Sequence, residues 1–165
     1  MEEAYTFHQT PRELAIELIK EVPIIATDKV LEPFKGEGAF YDNFPECQKD
    51  WCEITQGRDW LSYTDKIDWV ITNPPFQLDN GVKRENAFFK ILFHYSLQVN
   101  KGIALLSNDR CLSSLTPKRI EQLKLNGLHL HNITVCSVKR WRGRYYFIIF
   151  KKEPSLFFKA IGGNF

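Results

Sequence analysis

Apolar residues fall into two kinds of pattern along this chain. Short apolar runs bounded by turn residues recur at 28–32, 51–54, 67–72, 102–107, 133–138 and 145–151, the pattern of buried strands. Helical spacing instead marks Leu14, Ile16, Leu18 and Ile19, and again Phe88, Phe89, Ile91, Leu92 and Tyr95 within 86–99. Thr10-Pro11-Arg12-Glu13 opens the first helix, with Thr10 as N-cap, Pro11 in the first helical position and Glu13 completing a capping box. That helix is predicted to run to about Glu21, and another from Pro117 to about Leu125, closed near Gly127. The last two strands flank Trp141-Arg142-Gly143-Arg144 as a hairpin. Strands alternating with helices and ending in a hairpin predict an α/β fold, a doubly wound, mostly parallel sheet with an antiparallel edge. No repeat, linker or low-complexity stretch interrupts the pattern, so residues 1–165 are expected to form one domain. The apolar tail from Leu156 to Phe165 is expected to pack back on that domain or on a partner.

Composition narrows the function classes. A hydrophobic fraction of 44% and a charged fraction of 25% are those of an ordinary globular protein. Aromatics at 14%, including 13 Phe, exceed what a core alone needs and point to stacking surfaces. No apolar run reaches membrane-spanning length and the first residues lack a leader pattern, so an intracellular, cytoplasmic or nucleoid-associated protein is expected. Cys47, Cys52, Cys111 and Cys136 lack metal-ligand spacing and are expected to be free thiols, with no bound metal. The net charge of +2 hides an asymmetry. Residues 1–117 hold 12 Lys/Arg against 18 Asp/Glu, a balance of −6, whereas 118–165 hold 10 against 2, a balance of +8. The basic half is the one suited to a polyanion.

The chemistry concentrates where strands end. Asn73-Pro74-Pro75-Phe76 follows the run 67–72, and two prolines in a row stop the strand in a stiff, extended turn. Such a turn projects the Asn73 amide, the Pro74 carbonyl and the Phe76 ring from a strand end, where open α/β sheets place their ligands. Two acceptors beside an aromatic face suit the two hydrogens of an exocyclic amine on a flat heterocycle. Glu32-Pro33-Phe34-Lys35-Gly36-Glu37-Gly38-Ala39-Phe40 follows the first strand. Gly36 and Gly38 let backbone approach a ligand closely, while Glu32 and Glu37 would repel a pyrophosphate and favour a cationic ligand. Glu53 stands where a second-strand carboxylate meets ribose hydroxyls, and Asp59-Trp60 offers a carboxylate and a ring for an adenine.

On these residues the chain resembles the S-adenosylmethionine-dependent amino-methyltransferases, in particular the N6-adenine-specific DNA methyltransferases. Residues 32–40 look like the cofactor-binding motif I of that family, and Asn73-Pro74-Pro75-Phe76 looks like its catalytic motif IV, (D/N/S)PP(Y/F/W). Phe7-His8-Gln9-Thr10-Pro11 is similar to motif X, which precedes motif I and helps enclose the methionine part of the cofactor. Glu53 and Asp59-Trp60 match the acidic positions after the second and third strands that hold ribose and adenine. The resemblance implies a Rossmann-like sheet of seven strands and S-adenosylmethionine as cofactor. It assigns cofactor contacts to Phe7, Thr10, Pro11, Glu32, Pro33, Phe34, Gly36, Gly38, Phe40, Glu53, Asp59 and Trp60. Catalysis would fall to Asn73, Pro74, Pro75 and Phe76, by direct methyl transfer to the N6 amine of adenine in DNA.

One departure matters. Sequence-specific members of the family carry a separate target-recognition region, and 165 residues leave no space for one. The expectation is little built-in sequence recognition, with a second copy or a recognition subunit supplying more. Lys139, Arg140, Trp141, Arg142 and Arg144 are the expected nucleic-acid contacts, and residues 77–84 the segment expected to close over a target base. The alternatives are an RNA N6-adenine methyltransferase and a methyltransferase-like nucleic-acid-binding subunit that needs an active partner. Protein-glutamine methyltransferases, which use Asn-Pro-Pro-Tyr, fit less well with the basic C-terminal half.

Overall fold

A computed structural model describes residues 9–79 and 84–164. Its helices are α1 (Arg12–Ile19), α2 (Ala87–Ser96), α3 (Asp109–Ser113) and α4 (Pro117–Leu125). Its strands are β1 (Lys29–Glu32), β2 (Gln48–Trp51), β3 (Ile67–Thr72), β4 (Gln77–Asp79), β5 (Arg84–Asn86), β6 (Val99–Asn108), β7 (His129–Cys136) and β8 (Tyr145–Lys151). The main sheet has the order β2-β1-β3-β6-β8-β7, and β4 and β5 form a separate antiparallel pair. Strands β2, β1, β3 and β6 are parallel, while β8 runs antiparallel to both β6 and β7. The doubly wound, mostly parallel sheet with an antiparallel hairpin is thus present, with six strands in place of the expected seven.

The missing strand has a physical reason. Residues 52–66, between β2 and β3, carry only two single-turn 3-10 helices, Ile54–Gln56 and Trp60–Ser62. A further strand there would need two crossover connections, each taking at least about 10–12 residues. Residues 33–47, between β1 and β2, are likewise reduced to a 3-10 turn at Tyr41–Asn43.

Side chains alternate between the two faces of the sheet, which explains the continuous apolar strands. Val30, Trp69, Ile71, Ala104, Leu106, Phe147 and Ile149 pack under Ala15, Leu18 and Ile19 of α1 and under Phe40 and Phe44. Leu31, Val70, Ile103, Leu105, Ile148 and Phe150 meet Phe88, Ile91, Leu92 and Tyr95 of α2 and Leu123 of α4. Gly102 is obligatory in this sheet, because a Cβ there would stand 2.2 Å from the Phe150 carbonyl oxygen and 2.7 Å from the Trp69 ring.

Several element boundaries differ from the sequence expectation. Strand β2 lies three residues earlier than predicted and consists of Gln48, Lys49, Asp50 and Trp51, because an edge strand does not need apolar side chains. Strand β7 starts at His129, with a register shift between Leu130 and Asn132, and a connection of residues 137–144 replaces the tight hairpin turn. The tail is divided. Half-buried Phe158 borders a cleft with Leu112, Leu115 and Ile120, whereas Leu156, Phe157 and Ile161 are 85%, 91% and 76% exposed. No helix among the described residues is long and apolar enough to cross a membrane.

Parallel strands β1, β3 and β6 all point their C-terminal ends the same way. Chain order reverses between β1 and β3, since β2 adds on one side of β1 and β3 on the other. In open α/β sheets that reversal leaves a crevice at the strand ends, where ligands bind.

Candidate active site

Glu32 ends β1 and Asn73 follows β3, so the two flank that crevice. Gln9, Thr10, Glu32, Phe34, Lys35, Ala39, Phe40 and Asn73 line one narrow cleft there. Residues from three separate stretches of the sequence, those assigned to motifs X, I and IV, therefore meet in one place.

Thr10 does not cap α1. Pro11 occupies the N-cap position without a side-chain cap, and Glu13 closes no capping box. The buried Thr10 hydroxyl instead accepts from Asn73 Nδ2 at 3.1 Å. A residue chosen for its capping propensity thus serves as a tertiary contact between the segment before α1 and the Asn-Pro-Pro turn. Pro74 is buried and Pro75 half-buried, which holds this turn rigidly against the core. Phe7 lies outside the described residues, as do residues 80–83 of the segment expected to close over a target base. The flanking parts of that segment pair as β4 and β5.

Glu32 is 1% exposed. Burial pushes its carboxyl well above the usual carboxylate range, the Thr72 hydroxyl and the Phe34 N–H oppose the shift, and the charge of Glu53 adds to it. The Phe34 N–H donates to Glu32 Oε1 at 3.4 Å. Pro33 and Gly38 are buried, and Phe40, 2% exposed, stacks on Phe147 with centroids 6.1 Å apart. Gly36 and Gly38 have φ of 52° and 88°, the left-handed region that glycine adopts without strain. A Cβ on Gly38 would also come within 2.7 Å of Asp42 Oδ2. Gly38→Ala is expected to cost about 1–2 kcal/mol, measurable as a lower midpoint in urea with an unchanged slope.

Glu53, Asp59 and Trp60 do not line that cleft directly, although Glu53 bonds the glycine loop and Trp60 packs on Phe34. Glu53 Oε2 accepts from the Gly36 N–H at 3.0 Å, and its Oε1 accepts from the Thr55 N–H and hydroxyl. Burial raises the Glu53 pKa, but these donors outweigh it and leave the carboxyl below its ordinary value. Glu53 thereby ties the end of β2 to the glycine loop. Asp59 caps the turn at Trp60–Ser62 through the Leu61 N–H at 3.0 Å. Trp60, 5% exposed, packs its ring 5.5 Å from Phe34 and 5.1 Å from His94. Glu53 follows β2 as expected, whereas Asp59 lies in the same connection between β2 and β3 with no strand before it there.

The sequence reading did not single out Gln9, Lys35 or Ala39 as site residues, although all three line the cleft. Lys35 Nζ stands 4.6 Å over the Trp51 ring and 5.2 Å over that of Tyr41, and Arg58 covers Trp51 at 4.2 Å. Such stacking involves residues distant in sequence, so no local motif announces it.

Phe76, half-buried, faces Tyr145 at 6.4 Å between ring centroids, and Tyr145 in turn meets Trp141 at 4.6 Å. Lys139, Arg140, Arg142 and Arg144 are exposed around a half-buried Trp141. The structure therefore brings the predicted basic cluster to the end of the sheet that carries Asn73. Cys47 is half-buried and the other three thiols buried. Burial raises Cys52 and Cys111 to about 11, too high for either to act as a thiolate near neutral pH.

The chain matches no protein-family profile and no curated protein. Solved structures do resemble it. A protein from Pyrococcus horikoshii assigned to the RNA methyltransferases superposes with a TM-score of 0.65 at 16% identity, over 87% of this chain and 85% of that one. The magnesium protoporphyrin IX methyltransferase of Synechocystis, with bound S-adenosylhomocysteine, gives 0.61 at 9% identity over 86% and 83%. A chain from Vibrio vulnificus assigned as the modification subunit of a type I restriction enzyme gives 0.61 at 14% identity, over 87% of this chain and 44% of that one. The chain has the fold of the S-adenosylmethionine-dependent methyltransferases.

Proposed function

We propose that this protein uses S-adenosylmethionine to methylate the N6 amine of adenine in a nucleic acid, DNA before RNA. The observation that carries the reading is the meeting of Thr10, Glu32 and Asn73 in one cleft at the switch point of a methyltransferase fold. The cleft is narrow, about 20 Å³, so the fit to the cofactor is one of chemistry rather than of volume. Glu32 offers a buried carboxyl to an ammonium group, and Phe34 and Phe40 offer apolar walls. Acid at this site favours a cationic sulfonium compound over a dinucleotide.

S-adenosylmethionine, when bound, supplies a methyl group already activated by its positive sulfur. The chain then has mainly to orient the nucleophile, and correct placement is worth several kcal/mol. Asn73 Nδ2 is committed to Thr10, so the acceptor end of the amide, Oδ1, has the chemistry an amine hydrogen needs. Together with the Pro74 carbonyl it would hold the two N–H bonds of the target and turn the nitrogen lone pair toward the methyl group. Phe76 would stack on the base. The amine becomes acidic once alkylated and loses its proton afterward, so no strong base is required.

The test offers purified protein methyl-labelled S-adenosylmethionine with single-stranded DNA, duplex DNA or RNA. Label recovered as N6-methyladenine supports the reading, and absence of both label and cofactor binding sinks it. Label in RNA alone would shift the substrate to the class named for the Pyrococcus horikoshii relative. Thr10 acts through Asn73 and is a positioning residue. Thr10→Val is expected to lower kcat about tenfold and Thr10→Ser to restore it, because the serine hydroxyl can accept the same hydrogen bond. Equal rates in Val and Ser variants would remove Thr10 from that role.

A further inference from the structure

Resting on the methyltransferase reading above, we propose that Trp141 receives a base adjacent to the target, which makes the substrate an unpaired strand. Asn108, the last residue of β6, pairs with Tyr145, the first of β8. The connection 137–144 therefore leaves the sheet at the end where β3 delivers Asn73 and Phe76. It carries Lys139, Arg140, Arg142 and Arg144 and no carboxylate. An acidic neighbour is Asp109, which accepts from the Tyr146 hydroxyl at 2.7 Å. Asp109 Oδ2 would also lie 3.9 Å from a Cβ on Gly143, so the loop is backed by the start of α3.

Rings run without a break from the catalytic turn to this loop. Phe76 to Tyr145 is 6.4 Å and Tyr145 to Trp141 is 4.6 Å, which puts Trp141 within about 11 Å of Phe76. Stacked duplex covers that distance in about three steps of 3.4 Å, whereas an unstacked strand covers it in about one or two nucleotides. Tyr145 is 5% exposed and acts as the spacer, while Phe76 and Trp141 are half-buried, packed against the core on one side and reaching the surface on the other. A neighbouring base that has left the helical stack can span that distance to Trp141. Four exposed cations flank that ring in the sequence and offer charge to the phosphates on either side. Stacking on rings beside a cationic track tolerates any sequence.

The test is fluorescence anisotropy on a short labelled adenine-containing oligonucleotide, single-stranded and as its duplex, with no cofactor present. Wild type is expected to bind the single strand at least about tenfold more tightly than the duplex. Trp141→Ala should weaken single-strand binding about 5- to 150-fold with an unchanged salt slope, and Trp141→Phe should retain most of it. Arg142→Ala should instead reduce the salt slope by about one. Equal affinity for duplex, or Trp141→Ala binding like wild type, overturns the inference. Calorimetric titration with S-adenosylmethionine, run on the same wild-type and Trp141→Ala samples, separates the two readings. Cofactor binding with no Trp141 effect removes this inference alone, and Trp141-dependent strand binding without cofactor binding removes the methyltransferase reading.

Discussion

Replacing Asn73 with alanine is expected to lower kcat by about 10²–10³-fold while leaving the cofactor Kd within about threefold of wild type. Interactions that strengthen only as the transition state forms are lost from kcat, not from ground-state binding. As the target nitrogen bonds to the methyl group it becomes positive, and its N–H donors strengthen toward the acceptors that hold them. Removing one preorganised polar partner of a developing charge costs about 3–4 kcal/mol in comparable sites. Asn73→Asp keeps an acceptor at the same position, and the Thr10 hydroxyl can donate to it where it previously accepted, so this variant should stay within about tenfold of wild type. Single-turnover transfer of labelled methyl to an adenine-containing oligonucleotide measures both. Equal loss in the Ala and Asp variants would mean that the turn needs the Asn73–Thr10 bond as such. Full activity in Asn73→Ala would place the chemistry elsewhere.

The parts of this site legible in the sequence are those set by local chemistry. A double proline after an apolar run has few conformations open to it, so Asn73 at the end of β3 follows from residues 67–76 alone. Gly36 and Gly38 likewise mark a turn where backbone can approach closely, and both adopt positive φ. What was not legible depends on partners remote in the chain. Thr10 reads as a cap because Pro11 and Arg12 follow it, and only the fold shows Asn73 outcompeting the helix for its hydroxyl. Trp60 reads as a ring for adenine, and its packing on Phe34 and the bond from Tyr95 to its carbonyl, at 2.8 Å, are contacts that local sequence does not announce. Strand β2 is polar because it lies at an edge, so hydrophobic periodicity misses it. The five-residue helix α3 is too short for periodicity to report, although its Asn108 cap, accepting from Cys111 N–H at 3.0 Å, is an ordinary signal.

Glu32→Gln is expected to make the protein more stable near neutral pH and a weaker binder of its cofactor. Burial first, with the charge of Glu53 adding to it, raises the Glu32 pKa in the folded chain above its unfolded value of 4.5. Between those two values the folded state holds one more proton than the unfolded state, so stability falls as pH rises, by up to about 1.4 kcal/mol per pH unit. Below about pH 4 the carboxyl is neutral in both states and the penalty vanishes. A glutamine keeps an oxygen for the Phe34 N–H and never ionises. Its Tm should therefore match wild type at about pH 4 and exceed it increasingly as pH rises toward neutrality. Cofactor binding should move the other way. An arriving ammonium group favours the ionised carboxyl, so wild type should release a proton on binding and bind more tightly as pH rises through that window. Glutamine has no proton to release, and losing a charge-assisted hydrogen bond is worth about 1.5–3 kcal/mol, or about 10- to 150-fold in Kd. Titration calorimetry in buffers of different ionisation enthalpy reads the proton directly. No proton release by wild type, together with a glutamine variant that binds equally well, would mean that Glu32 holds up the cleft without touching the ligand. Proton release lost in the variant would instead make the carboxyl a group kept neutral by burial until a cation arrives to ionise it, with stability given up at the place where the ligand is recognised.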